Sequence, residues 1–243
     1  MQFGFNFYNW DHDQNTHLDR HLDQLVQWTK ETGWEGFETK AGGIENRPEV
    51  LRKTCEQHGM VCAALGGVSG IQVVIDYAYA AGVPMVRCGV PRGESDRWVD
   101  YAGERDVTIV IHPHTGQGGR GTGAVETRED LLRYLDERPG VYACPDTGHL
   151  MMCGSDPVQA IWDLGDRCYY IHLKDIDMKM AEQGIKGPSF CDLGDGDLDL
   201  PGVMEALEGI GFDGWVTVER DRRVDDYLQS ARKMRQVLRD MGY

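Results

Sequence analysis

The feature that most constrains this chain is an eightfold alternation of short apolar runs with amphipathic segments. The apolar runs have the length of buried strands, and they predict strands at 2–7, 34–38, 60–65, 84–88, 107–112, 140–144, 168–173 and 214–218. The segments between them have helical periodicity and lie near 17–32, 48–58, 70–81, 95–105, 127–137, 156–163, 201–210 and 225–241. Strict alternation of this kind is typical of α/β proteins with a parallel sheet.

Eight repeats within 243 residues match the requirements of a (β/α)₈ barrel. The competing architecture is a doubly wound open sheet, which is more often built from about five or six strands. No linker, low-complexity tract or shift in composition divides the chain. We therefore expect an α/β fold with a single TIM-barrel domain over residues 1–243. The longest irregular stretch, 175–200, is expected to be a functional or disordered loop.

The acidic balance of the chain limits its partners. Asp and Glu together number 40 against 25 Lys and Arg, which gives a net charge of −15. Nucleic acids and anionic membranes require a concentrated basic face, so we expect neither as a partner. Two explanations of the acidity stay open, namely adaptation to high salt and an ordinary acidic cytoplasmic protein.

Cysteine usage and hydropathy indicate a reducing, cytoplasmic compartment. The seven cysteines are scattered singly without a CxxC pair, which predicts reduced core thiols and no closed cysteine-type zinc site. No window approaches the roughly eighteen uninterrupted apolar residues of a transmembrane helix. The N-terminal segment MQFGFNFYNWDHD lacks the basic and apolar regions of a signal peptide.

Polar side chains follow the predicted strands at the ends where TIM barrels carry their chemistry. In chain order these residues are Glu38, His112, His114, Asp146, His149, His172, Lys174, Asp175 and Glu219. Strands five to eight each bring one metal-ligand type of side chain to this rim, namely His112, Asp146, His172 and Glu219. Two imidazoles and two carboxylates suit Mn²⁺, Co²⁺, Fe²⁺ or Zn²⁺ better than Ca²⁺ or Cu(I). The sequence therefore predicts a divalent metal site that could hold adjacent oxygens of a polyol and polarise a carbonyl.

Each of these residues also has a structural explanation when it is taken alone. Asp146, within PDTGH, could begin an Asx turn. Glu219, which precedes Arg220, could be an ordinary surface acid. A structural explanation for all of them together is weaker, because four consecutive strands end in the same way.

Other motifs carry less weight. The glycine pattern GxGxxG at 116–121 lies before the start of helical periodicity, whereas a dinucleotide fingerprint opens a helix. We therefore interpret 115–123 as a loop over the site. His17 and His21 have the i, i+4 spacing of a metal pair, but we expect them on a solvated helix face. Trp10, after the first strand, could wall a sugar-sized pocket or pack in the core.

Three segments resemble motifs of the xylose-isomerase-like TIM barrels: CPDTGHL (144–150), YIHLKDID (170–177) and GFDGWVTVE (211–219). That superfamily includes sugar isomerases, epimerases and related lyases. The resemblance runs over essentially the whole chain and is strongest from 107 to 219. Carried over position by position, it implies the metal ligands Asp146, His172 and Glu219, with the first ligand position falling on His112.

At that first position most of the family has Glu, and its epimerases are understood to use two facing glutamates as acid and base. His112 removes this symmetric arrangement, which disfavours a two-base epimerase. The segments IHPHTGQG, DTGHL and HLKDID are most similar to the inosose dehydratases, lyases of inositol catabolism. The resemblance therefore implies a lyase with a Mn²⁺- or Co²⁺-type ion that dehydrates a ketoinositol or a related keto-sugar or polyol. A metal-dependent sugar isomerase or epimerase is the alternative.

For β-elimination, the expected catalytic residues are Glu219, Lys174 and His149. Lys174 and Glu219 are the candidates for proton transfer. A nearby divalent cation would ease the loss of the Lys174 proton, which suits a base, and the assignment of acid and base stays open. The expected substrate contacts are His114, His149, Glu38 and Trp10. The charge of −15 disfavours an endonuclease of the same barrel type, and a non-catalytic sugar-binding barrel would leave four potential ligands unexplained. Barrels of this type often associate, so a homo-oligomer is an open alternative.

Overall fold

The computed structural model describes residues 1–10, 18–41, 47–66, 70–115, 125–184 and 189–243. Its strands are β1 (Gln2–Asn6), β2 (Gly36–Lys40), β3 (Val61–Gly66), β4 (Met85–Arg87), β5 (Thr108–Ile111), β6 (Tyr142–Ala143), β7 (Tyr170–Leu173), β8 (Asp175–Ile176), β9 (Phe190–Cys191) and β10 (Trp215–Val218). Its α-helices are α1 (Leu18–Glu31), α2 (Pro48–His58), α3 (Ile71–Ala81), α4 (Ser95–Gly103), α5 (Arg128–Asp136), α6 (Thr147–Met152), α7 (Pro157–Leu164), α8 (Met178–Glu182), α9 (Leu200–Gly209) and α10 (Tyr227–Asp240).

Eight of these strands form one sheet in the order β6-β5-β4-β3-β2-β1-β10-β7. Every pairing between neighbours in this sheet is parallel. Isolated parallel bridges join Ala143 to Cys168 and Asp146 to His172, which brings the two edge strands together. The α/β TIM barrel predicted from the alternation is confirmed.

Local sequence signals explain where several helices begin and end. Pro48 and Pro157 stand at the first turns of α2 and α7, where a missing N–H costs no intrahelical bond. Thr127 and Asp130 form a reciprocal capping box at the start of α5. Gly59 ends α2 with φ 61°, a left-handed conformation that favours glycine.

The structure contains three short elements that the periodicity did not predict, one of which is helix α8 within the stretch 175–200. Helix α6 follows the sixth strand directly, and Asp146 caps it by accepting the N–H of His149. Strands β8 and β9 form an antiparallel hairpin within the stretch expected to be irregular. This stretch is held by the Asp175 carboxylate, which accepts the backbone N–H groups of Ile176, Gly194, Gly196 and Leu198. All of these elements are too short for periodicity to indicate.

Apolar side chains form two buried clusters. The larger cluster lies between the sheet and the surrounding helices. The smaller one fills the barrel interior with Ala63, Ala64, Met85, Val110, Cys144, Tyr170 and Trp215. Tyr170 and Trp215 of this cluster open their strands, whereas the candidate metal ligands lie towards or beyond strand ends. Among the described residues, no helix has the length and apolar character needed to cross a membrane.

Candidate metal centre

Four strand ends bring the four predicted metal ligands together. His112, Asp146, His172 and Glu219 each offer one ligand atom, and these atoms lie within 4.8 Å of one another. Asp146, His172 and Glu219 are buried, and His112 is partly buried. Because parallel strands of a barrel end at the same rim, residues far apart in the chain meet here. Whether the cluster binds a metal ion stays a prediction.

Asp146 serves two purposes with its two carboxylate oxygens. Oδ1 accepts the backbone N–H of His149 at 2.9 Å and so caps α6. Oδ2 lies 3.1 Å from His112 Nε2 and 3.6 Å from His172 Nδ1. The turn-forming and ligand explanations of this residue are therefore compatible, because each uses a different oxygen.

His172 and Glu219 provide the observation in the cluster that best fits a divalent cation. His172 Nδ1 lies 2.5 Å from Glu219 Oε2, and both side chains are almost fully buried. Across the described ranges, neither atom has a partner with hydrogen-bond geometry. Buried polar atoms are normally hydrogen-bonded. These two atoms, one nitrogen and one oxygen, face each other beside Asp146 and His112. They fit the requirements of a divalent cation that takes mixed N and O ligands.

Glu38 lies beneath His172, at the opposite side of its ring. Glu38 Oε2 is 2.6 Å from His172 Nε2 and accepts the Tyr170 hydroxyl proton at 2.7 Å. Glu38 Oε1 accepts Arg87 Nε–H at 2.6 Å. The sequence placed Glu38 among the substrate contacts, but the residue is only 1% exposed and both of its oxygens are engaged by protein groups. These contacts favour a role in holding His172.

The two imidazoles of the cluster differ in their electrostatic surroundings. Burial lowers the pKa of His112 to about 3, although its hydrogen bond to Asp146 acts in the opposite direction. Burial also lowers the pKa of His172, but the neighbouring carboxylates, Glu38 first, outweigh it and hold that pKa well above its usual range. His112 is therefore neutral, and His172 is held in an environment that stabilises positive charge.

Lys174 places a buried ammonium among three carboxylates. Its Nζ lies 2.9 Å from Asp221 Oδ2, 3.2 Å from Asp146 Oδ2 and 3.5 Å from Glu219 Oε1. Burial alone raises the pKa of Asp146 and Glu219, but Lys174, as the next largest influence, helps to hold both well below their usual range. Burial alone would lower the pKa of Lys174, and the three carboxylates reverse that effect. Easy proton loss, which made Lys174 a candidate base, is therefore opposed by its surroundings.

His149 lies against this ammonium. Its Nε2 is 3.3 Å from Lys174 Nζ, and its Nδ1 is 2.9 Å from Thr115 Oγ1. Burial lowers the pKa of His149 to about 2 and outweighs the nearby Asp146 carboxylate. The ring of His114, an exposed residue, lies 4.1 Å from the ring of His149. The predicted residues His114 and His149 thus lie together beside the ligand cluster.

Trp10 lies in the core rather than at the mouth of a pocket. It is 1% exposed, and its indole N–H donates to Thr29 Oγ1 on α1 at 3.2 Å. The rings of Phe5 and Trp28 lie 4.9 and 5.7 Å from it. These contacts favour the packing alternative over the predicted substrate contact, because a side chain enclosed by core residues has little surface left for a ligand.

Sequence reasoning missed Arg87, Tyr170, Thr115 and Asp221, which all contact the predicted site residues. Asp221 had a usable signal, since it stands two residues after Glu219 and alternate residues of an extended segment share a side. Arg87 had a weaker one, as a lone charge at the end of the apolar run PMVRC. Tyr170 and Thr115 gave no signal in the sequence, because tyrosine is common in strands and threonine is common in loops.

Two earlier interpretations concern segments that the structure does not describe. The GxGxxG pattern at 116–121 and the proposed loop beyond Thr115 fall outside the described residues, and so does His17. His21, the other member of that histidine pair, is exposed on α1, as expected.

Comparison with known proteins places the chain among its relatives. The sequence profile described as "Xylose isomerase-like TIM barrel" matches residues 94–241. An inosose dehydratase of Geobacillus thermodenitrificans is 31% identical over 159 residues, which cover 60% of this chain and 51% of that protein. An inosose dehydratase of Lacticaseibacillus casei is 32% identical over 137 residues, which cover 52% and 45%. The chain spans about half the length of the curated relatives it matches.

Solved structures share the fold over nearly the whole chain. A D-allulose 3-epimerase from Methylomonas sp. superposes with a TM-score of 0.76 at 17% identity and covers 99% of this chain and 97% of its own. A probable 3-DHS dehydratase from Bacillus anthracis gives 0.73 at 14% identity, with 98% and 99% covered. At such identities the likeness shows the fold alone. Because the family profile matches more than half of a chain that forms this barrel, the chain belongs to the xylose isomerase-like TIM barrel family.

Proposed function

We propose that this chain is a divalent-metal-dependent lyase that removes water from a ketoinositol or a related keto-sugar or polyol. The observation that carries the proposal is the cluster of His112, Asp146, His172 and Glu219, with a buried lysine beside it. The inosose dehydratases that match at about 30% identity support dehydration. His112 supports it too, because the two-glutamate arrangement of an epimerase needs a carboxylate at that position.

The four clustered residues would hold the cation, and their two imidazole nitrogens and two carboxylate oxygens suit Mn²⁺ or Co²⁺. When bound, such a cation polarises a ketone and an adjacent hydroxyl and so acidifies the C–H bond next to the carbonyl. The ionised carboxylates of Asp146 and Glu219 supply the negative charge that such a cation requires. Their burial keeps competing water away from these oxygens.

The proton transfers are assigned to His149 and Lys174. In β-elimination a base takes the proton next to the carbonyl, the C–H electrons form a C=C bond, and the β-hydroxyl leaves with a proton from an acid as water. His149 is neutral and Lys174 is protonated, so their starting charges suit a base and an acid, but the lowered pKa of His149 and the raised pKa of Lys174 each oppose the transfer. A cation held by Asp146 and Glu219 would weaken the hold of these carboxylates on the Lys174 ammonium and so ease the loss of its proton. The contact of 3.3 Å between His149 Nε2 and Lys174 Nζ supports pairing these two side chains as base and acid. This arrangement suits loss of hydrogen and hydroxyl from the same face of the substrate.

Glu219 and His114 complete the proposed site. Glu219 Oε1, at 3.5 Å from Lys174 Nζ, helps to hold the acid in its charged form. The exposed His114 ring beside His149 is available to contact substrate hydroxyls at the entrance.

Proton NMR in D₂O tests the proposal on a panel of ketoinositols, keto-sugars and ketoses, with metal-stripped, Co²⁺-loaded and Zn²⁺-loaded protein. We expect a dehydrated product that forms only with metal. An isomerase or epimerase would instead incorporate deuterium with inversion or carbonyl migration and without loss of water. The Glu219 carboxylate beside Lys174 keeps this alternative chemically open, and that result would replace the lyase assignment.

The variant His172→Ala tests the site itself. We expect it to lose metal binding and activity together, because it removes one donor and leaves Glu219 Oε2 without its facing partner. His58→Ala is the matched control, since His58 ends α2 and pairs with Asp23 on the helical surface. Full activity of His172→Ala without bound metal would refute the proposed centre.

A further inference from the structure

Glu38 occupies a position that substrate would not share. It lies within β2, is 1% exposed, and takes part in a buried network behind the ligand cluster. Its Oε2 meets His172 Nε2 at 2.6 Å and the Tyr170 hydroxyl at 2.7 Å. Its Oε1 meets Arg87 Nε at 2.6 Å and Arg87 Nη2 at 2.5 Å. The Tyr170 hydroxyl also lies 2.7 Å from Thr217 Oγ1, so the network crosses the barrel interior.

We propose that Glu38 is a positioning residue that fixes the ring orientation and the tautomer of His172. Through this hydrogen bond Glu38 directs His172 Nδ1 towards Asp146 and Glu219 and thereby sets the affinity of the centre for a divalent cation. The inference rests on the proposed metal-dependent function. It assigns to Glu38 a task different from the substrate contact expected from the sequence.

The two nitrogens of the His172 ring have different tasks in such a centre. A neutral imidazole that binds a cation through Nδ1 carries its proton on Nε2. In a fully buried site that N–H requires an acceptor, since an unsatisfied buried donor is costly. Glu38 Oε2 is the acceptor at 2.6 Å, and its negative charge strengthens the bond. Without this acceptor, the His172 ring could rotate, or it could carry its proton on Nδ1, which faces Asp146 and Glu219.

Arg87 explains why a carboxylate is needed rather than an amide. Arg87 donates two N–H groups to Glu38 Oε1, so an amide oxygen at this position would pair with Arg87. The amide NH₂ group would then face His172 Nε2 and the Tyr170 hydroxyl. Two donors cannot satisfy each other, so His172 would have to place its proton on Nδ1. Glu38→Gln therefore changes almost no volume but reverses the hydrogen-bond polarity next to His172.

The first test is a metal titration of the full chain. Co²⁺ and Zn²⁺ are titrated into metal-stripped wild type, Glu38→Gln and Glu56→Gln, with circular dichroism and thermal unfolding to check folding. Glu56 is exposed on α2, so its variant removes the same charge far from the site. We expect the Kd of Glu38→Gln to rise by about 10–100-fold, the range seen for outer-sphere partners of metal-bound histidines. Glu56→Gln should keep the wild-type Kd.

The second test reads the tautomer directly by NMR of ¹⁵N-labelled imidazoles in Zn²⁺-loaded wild type. We expect His172 to carry its proton on Nε2, with a downfield signal from the short bond to Glu38. A proton on Nδ1 would overturn the inference, even if Glu38→Gln fails to fold. Tyr170→Phe, a milder change that leaves the Glu38–His172 pair in place, should weaken metal binding less than Glu38→Gln.

The outcomes separate this inference from the proposed function. Wild type that binds no divalent cation would remove the proposed centre, and the inference with it. Wild type that binds metal, with an unchanged Kd in a folded Glu38→Gln, would leave the centre intact and overturn the positioning role. A raised KM for substrate with unchanged metal affinity would do the same, because it would return Glu38 to the substrate contacts.

Discussion

Lys174→Met removes the buried ammonium of the candidate acid and keeps an unbranched side chain of similar length. Lys174 Nζ contacts Asp221, Asp146 and Glu219, but the change deletes no proposed metal ligand. Bound metal should therefore stay in place. Loss of a positioned acid lowers kcat by roughly 10²–10⁴-fold. We expect a fall in this range, with a much smaller change in KM.

The same variant should also be less stable in its metal-free form. Removing one partner of a buried ion pair costs roughly 3–5 kcal/mol. Asp221 is 24% exposed and so remains partly solvated, and Asp146 Oδ2 keeps its contact with His112. We therefore expect a loss at the lower end of that range. Added Mn²⁺ should offset part of it, because a cation replaces the positive charge that the carboxylates lost.

The assay compares two substrates of the keto-polyol class, one with a β-hydroxyl and one with fluorine in its place. Fluoride leaves without the full proton that hydroxide requires. Lys174→Met should therefore be far more defective on the hydroxyl substrate than on the fluoro analogue. Lys233→Met, on the surface of α10, controls for the loss of a lysine. An equal defect on both substrates, or a kcat within tenfold of wild type with metal retained, would refute the acid assignment.

Three further predictions concern metal, loop and core. Removal of the metal with a chelator should abolish activity, and added Mn²⁺ or Co²⁺ should restore it. Metal at a hundred times its Kd should also stabilise the folded state by about 2.7 kcal/mol, which thermal unfolding would measure. Asp175→Ala should lower the free energy of unfolding in urea by roughly 3–5 kcal/mol, because four backbone N–H groups lose a charged acceptor. A loss of stability below about 1 kcal/mol would contradict this prediction. Trp10→Phe should destabilise by roughly 1–3 kcal/mol through the lost bond to Thr29 and the lost volume, and a raised KM with unchanged stability would place Trp10 in the pocket instead.

The sequence predicted the barrel and the meeting of its ligands because both follow from periodicity. Once eight parallel strands are assigned, His112 and Glu219 must reach the same rim, and the observed cluster agrees. The contact between Glu38 and His172 has no such signal, since 134 positions separate the two residues. It depends on which side of a strand a residue faces and on the register of that strand. A register shift interrupts the pairing of β2 and β3 between Phe37 and Glu38, and no pattern in the sequence indicates it.

Charge assignments were harder to predict than positions. The sequence predicts that Lys174 lies near the candidate cation site, and from this alone a lowered proton affinity is a reasonable expectation. It could not show that Asp221 and Asp146 would both contact the ammonium. A side chain's charge state depends on the sum of all near neighbours, and several of these come from strands distant in sequence. Proximity can thus be predicted from topology, whereas protonation requires coordinates.

Asp146 offers a way to separate a structural task from a functional one within a single side chain. Asn is as good a helix N-cap as Asp, so Asp146→Asn should keep the bond from its Oδ1 to the His149 N–H and should preserve α6. Its amide group, however, would replace the Oδ2 that faces His112 and His172.

Asp146→Ala removes both functions. We therefore expect both variants to lose metal binding, while Asp146→Ala is less stable than Asp146→Asn by about 1 kcal/mol in metal-free urea unfolding, the usual value of an N-cap. If Asp146→Asn retained the wild-type Kd for Mn²⁺, the carboxylate would be a cap alone, and the centre would have to be rebuilt from three residues. If the two variants were equally stable, the cap would contribute nothing and Asp146 would be retained for its ligand oxygen only.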